Sequence, residues 1–192
     1  MLIIQIVELI SVLLNITFVI LFIKEVKWCW LFGIIGSLTQ SFVVFDSGYY
    51  SEALLYMFYA IMGVIGFVYW SKNEGKEFNI KRIPVLNALI LLLVGIVSTY
   101  GLGLLMSKLK AEKVYLDAFS TVFGIIATFL EIYKYLIAWY CWIALNAYTI
   151  WLYQIKELNL LSIQMIVFTV LSIQGLVVWN AKVKARKRKQ IL

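Results

Sequence analysis

Gly66-Phe67-Val68-Tyr69-Trp70 recurs further along the chain as Gly175-Leu176-Val177-Val178-Trp179. The shift between them is 109 residues, and the same shift lays Trp30 on Trp139 without a gap. It also lays Ser11 on Ser120, Ile16 on Ile125, Leu21 on Leu130 and Val68 on Val177, and brings the acid Glu8 onto Asp117. Apolar coincidences are expected in so apolar a chain. Two tryptophan pairs and a shared Gly-x-x-x-Trp ending are not. The chain reads as one three-helix unit written twice.

What lies between the copies fits this reading. Apolar runs of about 17–25 residues mark membrane-spanning helices. Seven occur, over residues 5–23, 28–45, 51–70, 85–106, 116–133, 137–153 and 160–179. Three spans reverse sidedness, so two directly fused units would be inverted; one extra span restores a parallel relation. The expected organisation is a first repeat over 1–72, a linker over 73–115 carrying a connector helix at 85–106, a second repeat over 116–181, and a basic cytoplasmic tail over 182–192. Pro84, the only proline, stands where the connector helix begins, a position where proline costs little.

Composition sets the class. Of 192 residues, 64% are hydrophobic and 14% charged, with a mean hydropathy of +0.94. A soluble domain has about 45–50% apolar and about 25% charged residues. The fold class is therefore an all-α membrane protein, with the lipid bilayer as its surroundings. A soluble enzyme and a nucleic-acid partner are excluded despite the net charge of +7. No histidine is present, which removes imidazole catalysis and imidazole metal ligation. Cys29 and Cys141 read as buried thiols, and no metal or cofactor is expected.

The basic residues orient the chain by the positive-inside rule. With the C-terminus inside, thirteen fall on the inner side: Lys24, Lys27, Lys72, Lys76, Lys81, Arg82, Lys134, Lys182, Lys184, Arg186, Lys187, Arg188 and Lys189. Four fall outside: Lys108, Lys110, Lys113 and Lys156. The N-terminus is expected outside and the C-terminus in the cytoplasm.

Few polar residues remain within the spans, and they form stripes. In the sixth span Trp139, Trp142, Asn146, Thr149 and Tyr153 recur at 3-4-3-4 spacing, one face of a helix. Asn146 is about 13 Å from the inner end at 1.5 Å per residue. At that depth it needs a partner from protein or substrate. The repeat gives the second span a smaller version of this face: Trp30, Gly33, Ser37, Gln40 and Val44. The fifth span shows Asp117, Thr121, Gly124, Thr128 and Glu131; the third shows Glu52, Tyr56, Tyr59, Gly63, Gly66 and Trp70. Gly63 and Gly66 read best as close-packing positions, while Tyr56 and Tyr59 suit either an outer gate or an interfacial belt. Aromatic faces with few fixed charges suit a planar cationic ring, held by stacking and cation–π attraction.

The motif Trp139-x-x-Trp142-x-x-x-Asn146, with Asp117 upstream, Lys134-Tyr135 before it and Gly175-x-x-x-Trp179 after it, resembles the PnuC-type vitamin transporters. Phe32-Gly33, Tyr50 and Gly66-x-x-x-Trp70 extend the likeness over nearly the whole chain. The resemblance implies a SWEET-like 3+1+3 fold in the bacterial inner membrane and a homotrimer. It also implies import of nicotinamide riboside by facilitated diffusion, with phosphorylation in the cytoplasm trapping the cargo. It implies that Trp139, Trp142 and Asn146 bind substrate, with Thr128 and Tyr56 lining the site. Thr149, Gln40, Ser37, Tyr59 and Thr121 join them from the stripes. The family often carries glutamine at the positions of Thr128 and Tyr56, which leaves thiamine as the alternative cargo and riboflavin behind it. A membrane scaffold or sensor that transports nothing is the alternative of a different class.

Overall fold

The computed structural model describes residues 2–75, 78–107, 114–155 and 157–189, and among them the regular structure is seven helices. They are α1 (Leu2–Ile23), α2 (Cys29–Asp46), α3 (Tyr50–Lys72), α4 (Val85–Ser107), α5 (Val114–Ile132), α6 (Ile137–Ile155) and α7 (Asn159–Lys189). Lys76, Lys108, Lys110, Lys113 and Lys156, which enter the charge reading above, lie outside the described residues.

Among the described residues, six helices are long and apolar enough to cross a bilayer. The exception is α6, whose length suffices but whose Trp, Tyr, Asn and Gln side chains lower its apolarity. The largest departure from the sequence reading is at the C-terminal end. The basic segment expected as a tail continues α7 as helix through Lys189. Lysine and arginine are good helix formers, and hydropathy marks only where a helix is in lipid, not where it stops.

The chain divides into two compact units. One comprises Met1–Asn79 with Val170–Val178, the other Ile80–Thr169 with Trp179–Leu192. In the first, α1 packs on α2 and α2 on α3; in the second, α5 packs on both α4 and α6.

Positions 109 residues apart share backbone geometry. α1 ends with Glu25 in the left-handed region, φ 62°, and α5 ends with Lys134 at φ 56°. Each closes a Schellman cap. The Glu25 and Val26 N–H groups donate to the Phe22 and Leu21 carbonyls at 2.9 and 3.1 Å. Those of Lys134 and Tyr135 donate to Glu131 and Leu130 at 3.0 and 2.8 Å. The ends of α2 and α6 match in the same way, with Gly48 at φ 83° and Glu157 at φ 58°. Between helices, Ser41 Oγ donates to the Ala53 carbonyl at 2.8 Å. The matched pair is joined in the opposite sense, Ser162 Oγ to the Ile150 carbonyl at 3.3 Å.

The cap of α6 carries strain that its counterpart avoids. A side chain in the left-handed region costs roughly 1 kcal/mol, and glycine is free of that cost. Glu157→Gly is therefore expected to raise the melting temperature in detergent by about 1–3 °C. Gly48→Glu, which meets no steric obstacle, should lower it by a similar amount. A melting curve of each variant decides it, and a fall for Glu157→Gly would refute the strain.

The turns after α1 and α5 are tied down differently. In the first unit Lys27 pairs with Glu74. In the second, the segment before α4 lies against the α5–α6 turn. Lys81 N–H donates to the Lys134 carbonyl at 2.9 Å, and Leu136 N–H to the Lys81 carbonyl at 2.8 Å. Arg82 adds a 2.7 Å hydrogen bond to Asn180 Oδ1.

Candidate functional site

The residues singled out from the sequence fall into two groups, one in each unit. In the second unit the α6 stripe is partly enclosed: Trp139, Asn146 and Tyr153 are buried, and Trp142 and Thr149 half-buried. Neighbouring α5 supplies Thr121, Thr128 and Glu131, of which the last two are buried. The helical 3-4 spacing places these side chains along one face of each helix.

The two tryptophans of the motif have different surroundings. Trp139 is fully enclosed and sits edge-on against Trp179, with centroids 5.3 Å apart and planes at 88°. Trp30 and Trp70 repeat this in the first unit at 5.5 Å and 85°. The two tryptophan pairs that reveal the repeat in the sequence are thus matched packing pairs. Edge-to-face rings at this separation contribute about 0.5–1.5 kcal/mol beyond the area they bury.

Trp142 differs from its counterpart, Gly33. In the first unit the Phe18 ring lies over Gly33. The matched positions in the second are Ala127 and Trp142, so the bulk has moved from the first helix of the unit to the second. Glu131, on the stripe of neighbouring α5, has a buried carboxyl.

The threonines are committed to their own helices. Thr128 Oγ1 donates to the Gly124 carbonyl at 2.8 Å and Thr149 Oγ1 to the Leu145 carbonyl at 2.6 Å. With its proton used, each hydroxyl offers a ligand only acceptor lone pairs. The second unit therefore carries an indole, an amide at Asn146 and hydroxyl acceptors on α5 and α6, together with the buried Glu131 carboxyl.

In the first unit Gln40 is fully buried and Ser37 nearly so. Two residues absent from the sequence reading of the site hold Gln40. Asn15 Nδ2 on α1 donates to its Oε1 at 3.0 Å, and Ser11 Oγ, whose proton is directed at the Glu8 carbonyl 2.7 Å away, lies 3.2 Å from the same oxygen. The signal for them was present: Ser11 and Asn15 are polar and four residues apart, on one face of a mostly apolar helix. Tyr56 and Tyr59 on α3 form an edge-to-face pair with centroids 5.9 Å apart. Tyr56 is buried and Tyr59 half-buried, so neither is a freely exposed belt residue.

Gly63 and Gly66 take the packing role read for them. A side chain at Gly66 would meet the Trp30 ring, and one at Gly63 would meet Ile34.

Comparison with known proteins covers most of the molecule. Residues 5–181 match the family described as "Nicotinamide mononucleotide transporter". The nicotinamide riboside transporter PnuC of Escherichia coli (strain K12) is 22% identical over 183 residues, spanning 81% of this chain and 77% of its own. The Shigella flexneri protein of the same name matches equally. Among solved structures, the crystal structure of the vitamin B3 transporter PnuC superposes with a TM-score of 0.82 at 23% identity. That alignment covers 93% of this chain and 82% of the other, and it establishes a shared fold. With its all-helical fold and a family match over nearly its whole length, this chain belongs to the nicotinamide mononucleotide transporter family, whose members are membrane transporters and not enzymes.

Proposed function

We propose that the protein imports a vitamin B3 precursor, nicotinamide riboside, across the bacterial inner membrane as a uniporter, with cytoplasmic phosphorylation trapping the cargo. The observation that carries this reading is the α6 face, where half-buried Trp142 and buried Asn146 share one side of the helix. An indole face attracts a pyridinium ring by stacking and cation–π interaction, worth about 0.5–2 kcal/mol. An amide can hydrogen-bond the carboxamide of that ring at both its donor and its acceptor.

The proposed architecture is two parallel three-helix repeats joined by α4, with α6 spanning the membrane as the other six helices do. It is supported by the four matched helix caps and the matched tryptophan pairs. The basic residues support an N-terminus outside and a C-terminus in the cytoplasm. α4 buries little besides Gly95 and Gly103 within the chain. Its apolar surface is therefore available to lipid or to the two further copies of a trimer.

Calorimetric titration of the purified protein with nicotinamide riboside, thiamine and riboflavin tests the cargo. Binding of the riboside alone is expected; tighter binding of thiamine would reassign it. A second measurement tests the mechanism. The buried acid Glu131 lies at the inner end of α5 rather than in the middle of a span, and uniport needs no coupling ion. Uptake into proteoliposomes down a fixed riboside gradient should therefore change less than about twofold when a protonophore is added. Collapse of uptake would mean proton coupling.

A further inference from the structure

The end of the second unit where α5 stops and α4 and α6 begin gathers positive charge. Lys81 is held there by its backbone, whose N–H donates to the Lys134 carbonyl at 2.9 Å and whose carbonyl accepts from Leu136 N–H at 2.8 Å. The next residue, Arg82, reaches α7 and donates to Asn180 Oδ1 at 2.7 Å. Residues four apart on a helix share a face, so Lys184 stands one turn beyond Asn180 on the side that Arg82 touches. Lys81, Arg82 and Lys184 are exposed, while Lys134 is buried.

Like charges held together repel. Among the described residues of this unit, no exposed acid at this end offsets them. Glu131 is buried. Asp117 and Glu157 stand a helix length away, about 25 Å at 1.5 Å per residue. The matched turn of the first unit carries both signs. There Glu25 occupies the position of Lys134, and Lys27 pairs with Glu74. Orientation in a membrane requires only that cations be numerous on one side. It does not require that three distant segments of chain be hydrogen-bonded so that their cations are neighbours.

The level of the cluster selects the kind of anion. Lys81 and Arg82 directly precede α4, and Lys134 directly follows α5. Lys184 is about 7.5 Å along the helix from Trp179, where the apolar part of α7 ends. The headgroup layer is about 5–7 Å deep on each side of the hydrocarbon. The cluster is therefore level with lipid phosphates. We propose that Lys81, Arg82 and Lys184 bind the phosphate of an anionic phospholipid, which relieves their mutual repulsion and ties the start of α4 to α7. A guanidinium has five N–H donors, so the one given to Asn180 leaves others for phosphate oxygens. In the orientation proposed above, this lipid belongs to the inner leaflet. The binding itself depends on membrane location and not on the cargo.

The test is the melting temperature of the purified full-length protein in a neutral detergent, with phosphatidylglycerol or the same amount of phosphatidylcholine added. Phosphatidylglycerol is expected to raise it by about 3–6 °C more than phosphatidylcholine does. Arg82→Gln and Lys184→Gln should each cut that difference by about half, and together they should bring it below about 1 °C. Arg188→Gln combined with Lys189→Gln is the control. Those residues stand about 13–15 Å past Trp179, beyond the headgroups, and their loss should change the difference by less than about 1 °C. Comparing two lipids on each variant cancels any change in that variant's own stability. Lys184→Gln carries the test should Arg82→Gln fold poorly. Equal stabilisation by the two lipids, or a loss in the distal variant as large as in the proximal one, would overturn the proposal. So would an equal shift from glycerol 3-phosphate at the same concentration, since the site would then take a free anion and not a lipid. No cargo is present, so failure here leaves the function proposed above untouched.

Discussion

Replacing Trp142 with alanine is expected to cut riboside uptake into proteoliposomes by about tenfold or more, and Asn146→Ala by a similar factor. Trp142 is the half-buried indole of the α6 face, whereas Trp139 is enclosed against Trp179. Losing the indole removes both a stacking surface and a cation–π partner. Together these are worth about 1–3 kcal/mol, and about 1.4 kcal/mol is a factor of ten. Asn146 acts differently. A site that hydrogen-bonds its ligand discriminates strongly, because removing one partner strands the other. Trp151, exposed on the same helix near its C-terminal end, is the control. Trp151→Ala should leave uptake within about twofold. Wild-type uptake by both Trp142→Ala and Asn146→Ala would show that the α6 face is not the site.

The largest effect on stability is expected at Gly66. A Cβ built there lies 2.6 Å from ring carbons of Trp30, well inside contact distance. Trp30 cannot yield easily, since its ring also packs on Phe18, Phe22 and Trp70. Overpacking a rigid ring costs about 1–3 kcal/mol. Gly66→Val should therefore lower the melting temperature in detergent by about 5–10 °C. Gly63 provides the contrast. The atom nearest its added Cβ is Ile34 Cγ1, at 2.7 Å, and one aliphatic side chain has to turn there, whereas Trp30 is wedged among three other rings. Gly63→Ala should cost less than half as much. Equal losses at the two positions would mean that ring rigidity is not what makes Gly66 necessary.

The fold was legible in the sequence because a bilayer enforces simple rules. Apolar length sets where helices lie, and each expected span begins and ends within a few residues of an observed helix, except at the end of α7. There the rule lapses, since a helix can leave the membrane and continue in water. The repeat was legible through its tryptophans because large rings tolerate little displacement; the caps at Glu25, Lys134, Gly48 and Glu157 were not. Only Gly48 is the residue type that announces a left-handed turn, and the other three are charged residues that read simply as loop. Within the candidate site, the stripes on α2 and α6 followed from spacing alone. The contact that gives the α2 stripe its meaning, Asn15 with Gln40, crosses between helices. The register between helices depends on packing, which one-dimensional periodicity does not contain.

The length of α7 has a practical consequence for imaging. At 22.2 kDa the chain is small for single-particle microscopy. Its last helix has 31 residues, about 46 Å at 1.5 Å per residue, against a hydrocarbon layer of about 30 Å. A soluble domain joined in helical register after Lys189 would stand clear of the detergent belt on a continuous shaft. Such a fiducial would give each particle a feature to align on while leaving the α2 and α6 faces untouched.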